Sequence, residues 1–376
     1  MKRFFLSLAV FVMALCANAQ TNQYFWYNGN LMMGNPIAQI DSVTFGEGEP
    51  ADTLHIMLPR TIIKEVHDTV YITIHDTVCP NDLPEGALAG EFSVSPTKKV
   101  RFSKGNLQYN AALGTHQCAD GTTQQGTWRF AEHQWDYVGD ATEGTVYENE
   151  VKCNNALISS TYSGWIDLFG WGTSGWNSGA KAYQPWATST NDKDYYPGNS
   201  STNNLQGSCA NADWGVYNAI KNGGDEAGMW RTLTGSEWNY LLSARTNANQ
   251  LCGQATINGL HALILLPDNW IMPNSLSFTA SPSDWTDNQY TLEEWKVLEQ
   301  CGAVCIPSAK RRIYGNTIDG GSVGGEIGIW TASYSSESSA SCAWQIVVFG
   351  TSISSDQNSI GGRHNGHIVR LVQDVE

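Results

Sequence analysis

The sequence predicts an α+β fold for most of the chain, preceded by a small β-rich N-terminal module and stalk. Three observations carry that reading. Two capping boxes, "TGSEWNYLLSAR" and "TLEEWKVLEQCG", place Thr234 three residues before Glu237 and Thr291 three before Glu294, and so announce two short helices. A strand-like apolar run follows each helix, "GLHALILLP" and "AVCIPSA". The last third, Ile327 to Val372, has strand patterns and no helical period. At 376 residues the chain suits two parts, and 15 Trp, 15 Tyr and 11 Phe can fill a sizeable core.

In chain order, "MKRFFLSLAVFVMALCANAQ" joins a basic start (Lys2, Arg3) to an apolar run, Phe4 to Leu15, and then Ala17-Asn18-Ala19. This is the pattern of a secretory signal peptide over residues 1–19, cut before Gln20. The run is too short to span a bilayer comfortably, and Leu15 is bulky for lipid attachment at Cys16. No other segment reads as a membrane span. Residues 20–50 form a small module whose "IAQIDSVTFGEG" has a short strand-like pattern ending at glycines. Residues 51–85 read as a stalk: "VHDTVYITIHDTV" alternates as one extended strand, with Val66, Val70, Ile72, Ile74 and Val78 on one face. His67 and His75 echo each other, but eight extended residues span about 26 Å, too far to share an ion. "CPNDLPEG" marks the boundary, and from Gly86 "EFSVS" and "VRFSKGNLQY" read as strands.

Cleavage of the signal would remove Lys2 and Arg3 and leave 19 basic against 36 acidic residues, a net charge of −17. Such a surface repels phosphate, which excludes nucleic acid and anionic lipid as partners. Of nine cysteines, eight remain after Cys16 is removed. In an exported chain they permit disulfides in any of 105 pairings. Cys301 and Cys305 are the closest pair, with Gly302 suggesting a turn where they meet. None shows the CxxC spacing of a zinc site.

"FSVSPTKKVRFSKGNLQY", "WRFAEHQWDYVGD", "GWIDLFGWGTSGW", "WRTLTGSEWNYLL", "LILLPDNW", "YTLEEWKVLEQCGAVCIPSA" and "GHIVRLV" occur in this order. As a set they resemble exported Bacteroidales proteins related to the Fibrobacter succinogenes major paralogous domain, over roughly residues 86–373. The resemblance implies a C-type-lectin-like domain over 86–376, a fold shared with formylglycine-generating enzymes and with variable proteins of diversity-generating retroelements. It also implies a ligand-binding face in the segment before the final "VRLV" strand, the part that differs between copies of those variable proteins. Here that segment runs from Trp330 to His364. The ligand set on this reading is Trp330, Ser333, Tyr334, Ser335, Ser338, Trp344, Gln345, Ser352, Asn358 and His364. Aromatic anchors among Ser, Gly and Asn are a mixture that recognition surfaces use. The competing account is a solvated serine loop with Trp330 and Trp344 in the core.

Enzyme chemistry has weaker footholds. Formylglycine-generating relatives need a late cysteine pair, and only Cys342 lies there. "GWGTSGW" lacks the G-x-S-x-G spacing of a nucleophile elbow. Glu237 and Glu294 already have capping tasks. The tripeptides of calcium-dependent lectins are absent, with only "QPW", "PDNW" and "NDKD" as loose likenesses. His364 and His367 lie three apart in a strand region and face opposite ways. Most tryptophans sit beside Gly, Leu or Phe, where core filling explains Trp165, Trp171, Trp176, Trp230 and Trp238; Trp285 and Trp344 are the candidates for exposure.

The sequence thus points to an exported binding protein without catalytic residues, metal or cofactor, at the outer cell surface or extracellular with the periplasm as the alternative, whose partner is a protein or glycan. It fits an adhesin or diversified receptor. The rival readings are an enzyme on the formylglycine-generating scaffold and a structural subunit of a surface assembly. The boundary is directly testable. A chain of residues 84–376 should melt cooperatively by itself, and limited proteolysis of the full chain should cut near residues 79–90. A truncated chain that fails to melt cooperatively would refute a two-part organisation.

Overall fold

The computed structural model describes residues 83–280, 282–319, 326–335, 342–350, 352–355 and 360–375, with six short strands between Tyr24 and Thr73. The chain divides into two units, 1–79 and 80–376. In the first, Tyr24–Tyr27 pairs with Asn30–Gly34, Ser42–Thr44 with His55–Met57, and Ile62–Val66 with Thr69–Thr73, all antiparallel. The single extended strand expected over "VHDTVYITIHDTV" is therefore folded back. Val66 pairs with Thr69, and Ile62 with Thr73, so the two halves of this stretch run antiparallel. The second His-Asp and the signal segment lie outside the described residues.

The second unit is a mixed helix–sheet domain. Its first sheet holds β1 (Phe92–Ser93), β2 (Lys99–Phe102), β5 (Arg231–Thr232) and β16 (Leu371–Asp374) in the order β5-β16-β2-β1. The run expected as one strand, "VRFSKGNLQY", breaks after Phe102, where the Ser103 hydroxyl donates to the Gly105 carbonyl (2.9 Å) and closes a bend. Beyond the bend, β3 (Leu107–Gln117) pairs with β4 (Thr123–Phe130) in a long hairpin.

The Thr234 box starts α1 (Gly235–Asn239), which loosens into a π-turn over Tyr240–Ala244. Next come β6 (Cys252–Ile257) and β7 (Leu260–Leu265), joined by Asn258-Gly259 with φ of 47° and 86°, the positive values a two-residue hairpin turn requires. The Thr291 box starts α2 (Leu292–Gln300) after β8 (Gln289–Tyr290), and β9 (Val304–Pro307) completes a second sheet in the order β8-β6-β7-β9. A small hairpin, β10 (Arg311–Ile313) and β11 (Thr317–Asp319), precedes the third sheet. That sheet comprises β12 (Glu326–Tyr334), β13 (Cys342–Phe349), β14 (Ser352–Ser354) and β15 (Ile360–Gly362), with β14 and β15 both pairing β13.

One core packs α1 and the three sheets around Phe102, Trp238, Leu263, Ile306, Ile329 and Ile346. A second gathers Trp128, Trp171, Trp214, Trp230 and Trp330 with Tyr109, Phe130 and Phe169. Trp165, Trp171, Trp230 and Trp238 are buried, as core filling requires; Trp176 and Trp285 are half-buried. Cys118, Cys153, Cys209, Cys252 and Cys305 are free thiols, so the disulfides that an exported chain permits do not form at these positions. Cys301 caps α2 while Cys305 points into the core from β9, so the turn at Gly302 does not join them. Among the described residues no helix is long and apolar enough to cross a membrane.

Both capping boxes are closed in each direction. Glu237 N–H donates to the Thr234 hydroxyl (3.1 Å) and Thr234 N–H to the Glu237 carboxylate (2.8 Å); the Thr291–Glu294 pair repeats this at 3.2 and 2.8 Å. Thr234→Ala and Thr291→Ala should each lower stability by ~1 kcal/mol in chemical denaturation. Two results within error of zero would contradict the role of these hydroxyls.

His367 supplies a pH test. It is buried against Gly328, where a Cβ would lie 2.3 Å from the ring, and edge-on to Trp330 (4.6 Å). Burial pushes its pKa down to about 3, with Arg311, Arg312 and His364 adding to the shift. The folded ring stays neutral while the unfolded one takes a proton near the ordinary value of 6.5. Unfolding therefore binds a proton between those values, and stability falls as pH drops below 6.5, by ~1.4 kcal/mol per unit for this group alone. Asp167 and Asp213, raised by burial to about 6, act in the opposite sense between 3.8 and 6. A difference measurement isolates the histidine: the stability of His367→Leu relative to wild type should rise by ~1 kcal/mol or more from pH 7 to pH 5. A pH-independent difference would show that the ring is not held neutral.

Candidate ligand-binding face

The segment from Trp330 to His364 is built on β12 and β13. Their register runs from Glu326 opposite Phe349 to Trp330 opposite Gln345, then shifts so that Tyr334 faces Ala343. The irregularity is held from within. The Thr331 hydroxyl donates to the Trp344 carbonyl (2.8 Å) and accepts from Ser333 N–H (3.1 Å), while Ala332 N–H donates to the Leu233 carbonyl (2.9 Å). An irregular register of this kind re-aims the side chains beyond it.

The ten sequence-predicted residues do not share one face. Trp330 is 0% exposed, its indole donating to the Phe169 carbonyl (2.7 Å), and Trp171 returns the contact to the Thr331 carbonyl (2.8 Å). Ser335 is 1% exposed and Gln345 6%, with the Gln345 amide donating to the Ile360 carbonyl (3.0 Å). These three lie in the interior. Ser333 and Trp344 both meet the start of α1: the Ser333 hydroxyl accepts from Gly235 N–H (3.1 Å), and a Cβ on Gly235 would lie 2.2 Å from the Trp344 ring. Glycine is thus needed there to seat the indole. Tyr334 is half-buried on the other side, against the tryptophan-rich core. Ser352 is exposed on β14, and His364 is half-buried beyond β15. Ser338 and Asn358 lie outside the described residues.

Sequence reasoning missed the loop to which this segment is stitched. Leu205 N–H donates to the Ala332 carbonyl (2.9 Å), Tyr334 N–H to the Asn204 side chain (2.9 Å), and His364 meets Asp192 through both its backbone N–H (3.1 Å) and ring Nδ1 (2.7 Å). Burial opposes the Asp192 charge, but the hydrogen bonds from His364 outweigh it and hold the carboxyl below its ordinary pKa. Between these ties lies Arg363, fully buried, its guanidinium 4.5 Å from the Trp171 ring and 4.7 Å from that of Tyr196. It donates to the carbonyls of Cys342 (3.2 Å) and Ser201 (2.5 Å), and Nη1 has no hydrogen-bond partner among the described residues. Burial lowers its pKa to about 10, so it remains a cation at neutral pH. The signals were "NDKD", which holds Asp192, and a lone arginine between glycines and His364.

The chemical footholds are occupied by structure. Ser174 is buried and donates to the Asn211 carbonyl (2.6 Å). Glu237 accepts two hydrogen bonds from Arg231 (2.9 Å each) as well as its capping bond. Among the described residues no group of three or more His, Cys, Asp or Glu side chains gathers as a metal site. What the arrangement offers is a rim of half-buried polar and aromatic groups (Tyr334, Trp344, His364, Asp192, Asn204) on backbone tied from beneath. Comparison with protein-family models, curated proteins and solved structures found no match to this chain.

Proposed function

We propose that the chain is an exported, non-enzymatic binding protein in which an N-terminal β-rich module and stalk present a C-type-lectin-like head. Its ligand is a protein or a glycan, held at the rim where β12, β13 and β15 meet the loop ending at Leu205. The observation that carries this reading is the fixing of that rim by Arg363. A cation is buried between two aromatic rings and bonded to carbonyls from both segments. Burying a charge is expensive, and the carbonyls that receive its hydrogen bonds here hold irregular backbone in place. Immobilised backbone lowers the ordering cost of association. Supporting it, the seven motifs of the resemblance contribute the tryptophans, strands and capped helices around which both cores are packed.

Substitutions separate binding from folding. Ser352→Ala and His364→Ala should each change stability by no more than ~1 kcal/mol, and Tyr334→Ser, which removes a half-buried ring from the tryptophan-rich core, by less than Trp330→Ala does. Combined, they should abolish retention on whichever spot of a protein or glycan array captures the wild-type chain. Trp330→Ala should cost ~3–5 kcal/mol because it empties a packed site. If the triple variant binds as the wild type does, or destabilises as much as Trp330→Ala, the rim is not a recognition surface.

A further inference from the structure

Beside the rim lies a cavity of about 240 Å3, lined chiefly by Lys181, Gln184, Trp186, Ser189 and Asp194. It adjoins the rim through one short turn, Asp192–Tyr195, which carries Asp192 to His364 and Asp194 to the cavity. We infer that this cavity binds a single uncharged pyranose unit of a glycan without the help of calcium. The inference deepens the binding reading above and rests on it.

Five features point to that ligand class. The volume falls below the ~300–1,000 Å3 of sites for drug-sized molecules and suits one small ring. The lining charges cancel: Lys181 Nζ lies 3.4 Å from the Asp194 carboxylate, so neither an anion nor a cation is favoured. Donors and acceptors stand side by side there, which is what vicinal hydroxyls require, since each hydroxyl both donates and accepts. Among the described residues neither the Gln184 side-chain amide nor the Trp186 indole N–H has a hydrogen-bond partner, so both are available to a ligand. Trp186 adds an aromatic surface for the C–H face of a sugar ring.

The site is also held in shape before any ligand arrives. Trp186 stacks on Tyr109 (6.1 Å between centroids, 26° between planes), and Tyr109 packs on buried Trp128 (4.5 Å). The Ser189 hydroxyl donates to Asp194 (2.6 Å), Tyr195 donates to the Ser189 carbonyl (2.9 Å), and Ala182 N–H donates to the Asp194 carbonyl (2.8 Å). Trp186, Ser189 and Asp194 therefore lose little freedom on binding.

The test applies the full chain to an array of neutral glycans in EDTA, with methyl pyranosides of glucose, galactose, mannose and N-acetylglucosamine as soluble competitors. At least one neutral glycan should retain the chain, and at least one of these pyranosides should compete. Gln184→Ala should weaken retention about tenfold and Trp186→Ala about 30-fold, the latter a loss typical of an aromatic hot spot. Thermal melts on both variants establish that they fold, and Gln184→Ala decides the matter should Trp186→Ala not fold. Retention by no neutral glycan, retention abolished by EDTA, or retention unchanged in Gln184→Ala and in a folded Trp186→Ala would each overturn the inference. Capture by a protein array, lost in the rim triple variant, would in those cases leave the wider reading standing. A failure of the wider reading looks different: the triple variant then binds as the wild type does.

Discussion

The last strand, β16, lies between β2 from the start of the domain and β5 from its middle, so the sheet cannot close until the whole chain is present. Everything leading into that strand is pinned by buried arginines. Arg312, Arg363 and Arg370 are each 0% exposed, and the hydrogen bonds drawn from them end on carbonyl and amide oxygens. Arg370 reaches Asn106 and Gln134, Arg312 reaches Gly315 and the Leu168 carbonyl, and Arg363 reaches Ser201 and Cys342. A buried guanidinium is tolerated only where such acceptors converge, so each arginine forces distant segments into one arrangement. At the surface Arg231 does related work, joining the cap of α1 to the last strand through Glu237 and Asp374.

This closure explains why the terminal segment is both irregular and well held. After Trp330 the β12–β13 register shifts, and alternation then sends neighbours to opposite sides. Ser333 and Trp344 go to the start of α1, while Tyr334 goes to the tryptophan-rich core. A segment that reads as one polar stretch thus contributes interior, seam and rim in turn. The rim at this end forms where the segment meets the loop before Leu205, and the cavity at Trp186 lies beside it.

Electrostatics gives the domain a mixed response to acid. The chain carries a formal charge of −15, yet its interior holds arginines, a neutral histidine and two carboxyls with raised pKa values. Asp213 accepts from Thr232 and Gly215, and Asp167 from Val138 and Asn155, so both serve as buried acceptors for backbone that would otherwise lack partners. Because these carboxyls and His367 shift stability in opposite directions, their contributions to the pH profile partly cancel between 3.8 and 6.

The local rules were legible in the sequence. The helix starts at Thr234 and Thr291, the strands after them, the all-strand last third and the burial of Trp171, Trp230 and Trp238 all follow from capping chemistry, periodicity and apolar bulk. Those signals act over a few residues, so a single sequence displays them. The antiparallel pairing of Ile62–Val66 with Thr69–Thr73, the bend at Ser103, the separate thiols and the splitting of the 330–364 segment were decided by tertiary structure. So was the place of Arg363, which is fixed by Trp171, Tyr196 and Ser201 around it. Contacts across more than 160 residues leave no periodic trace, because their energy depends on which distant acceptors and rings the fold brings together.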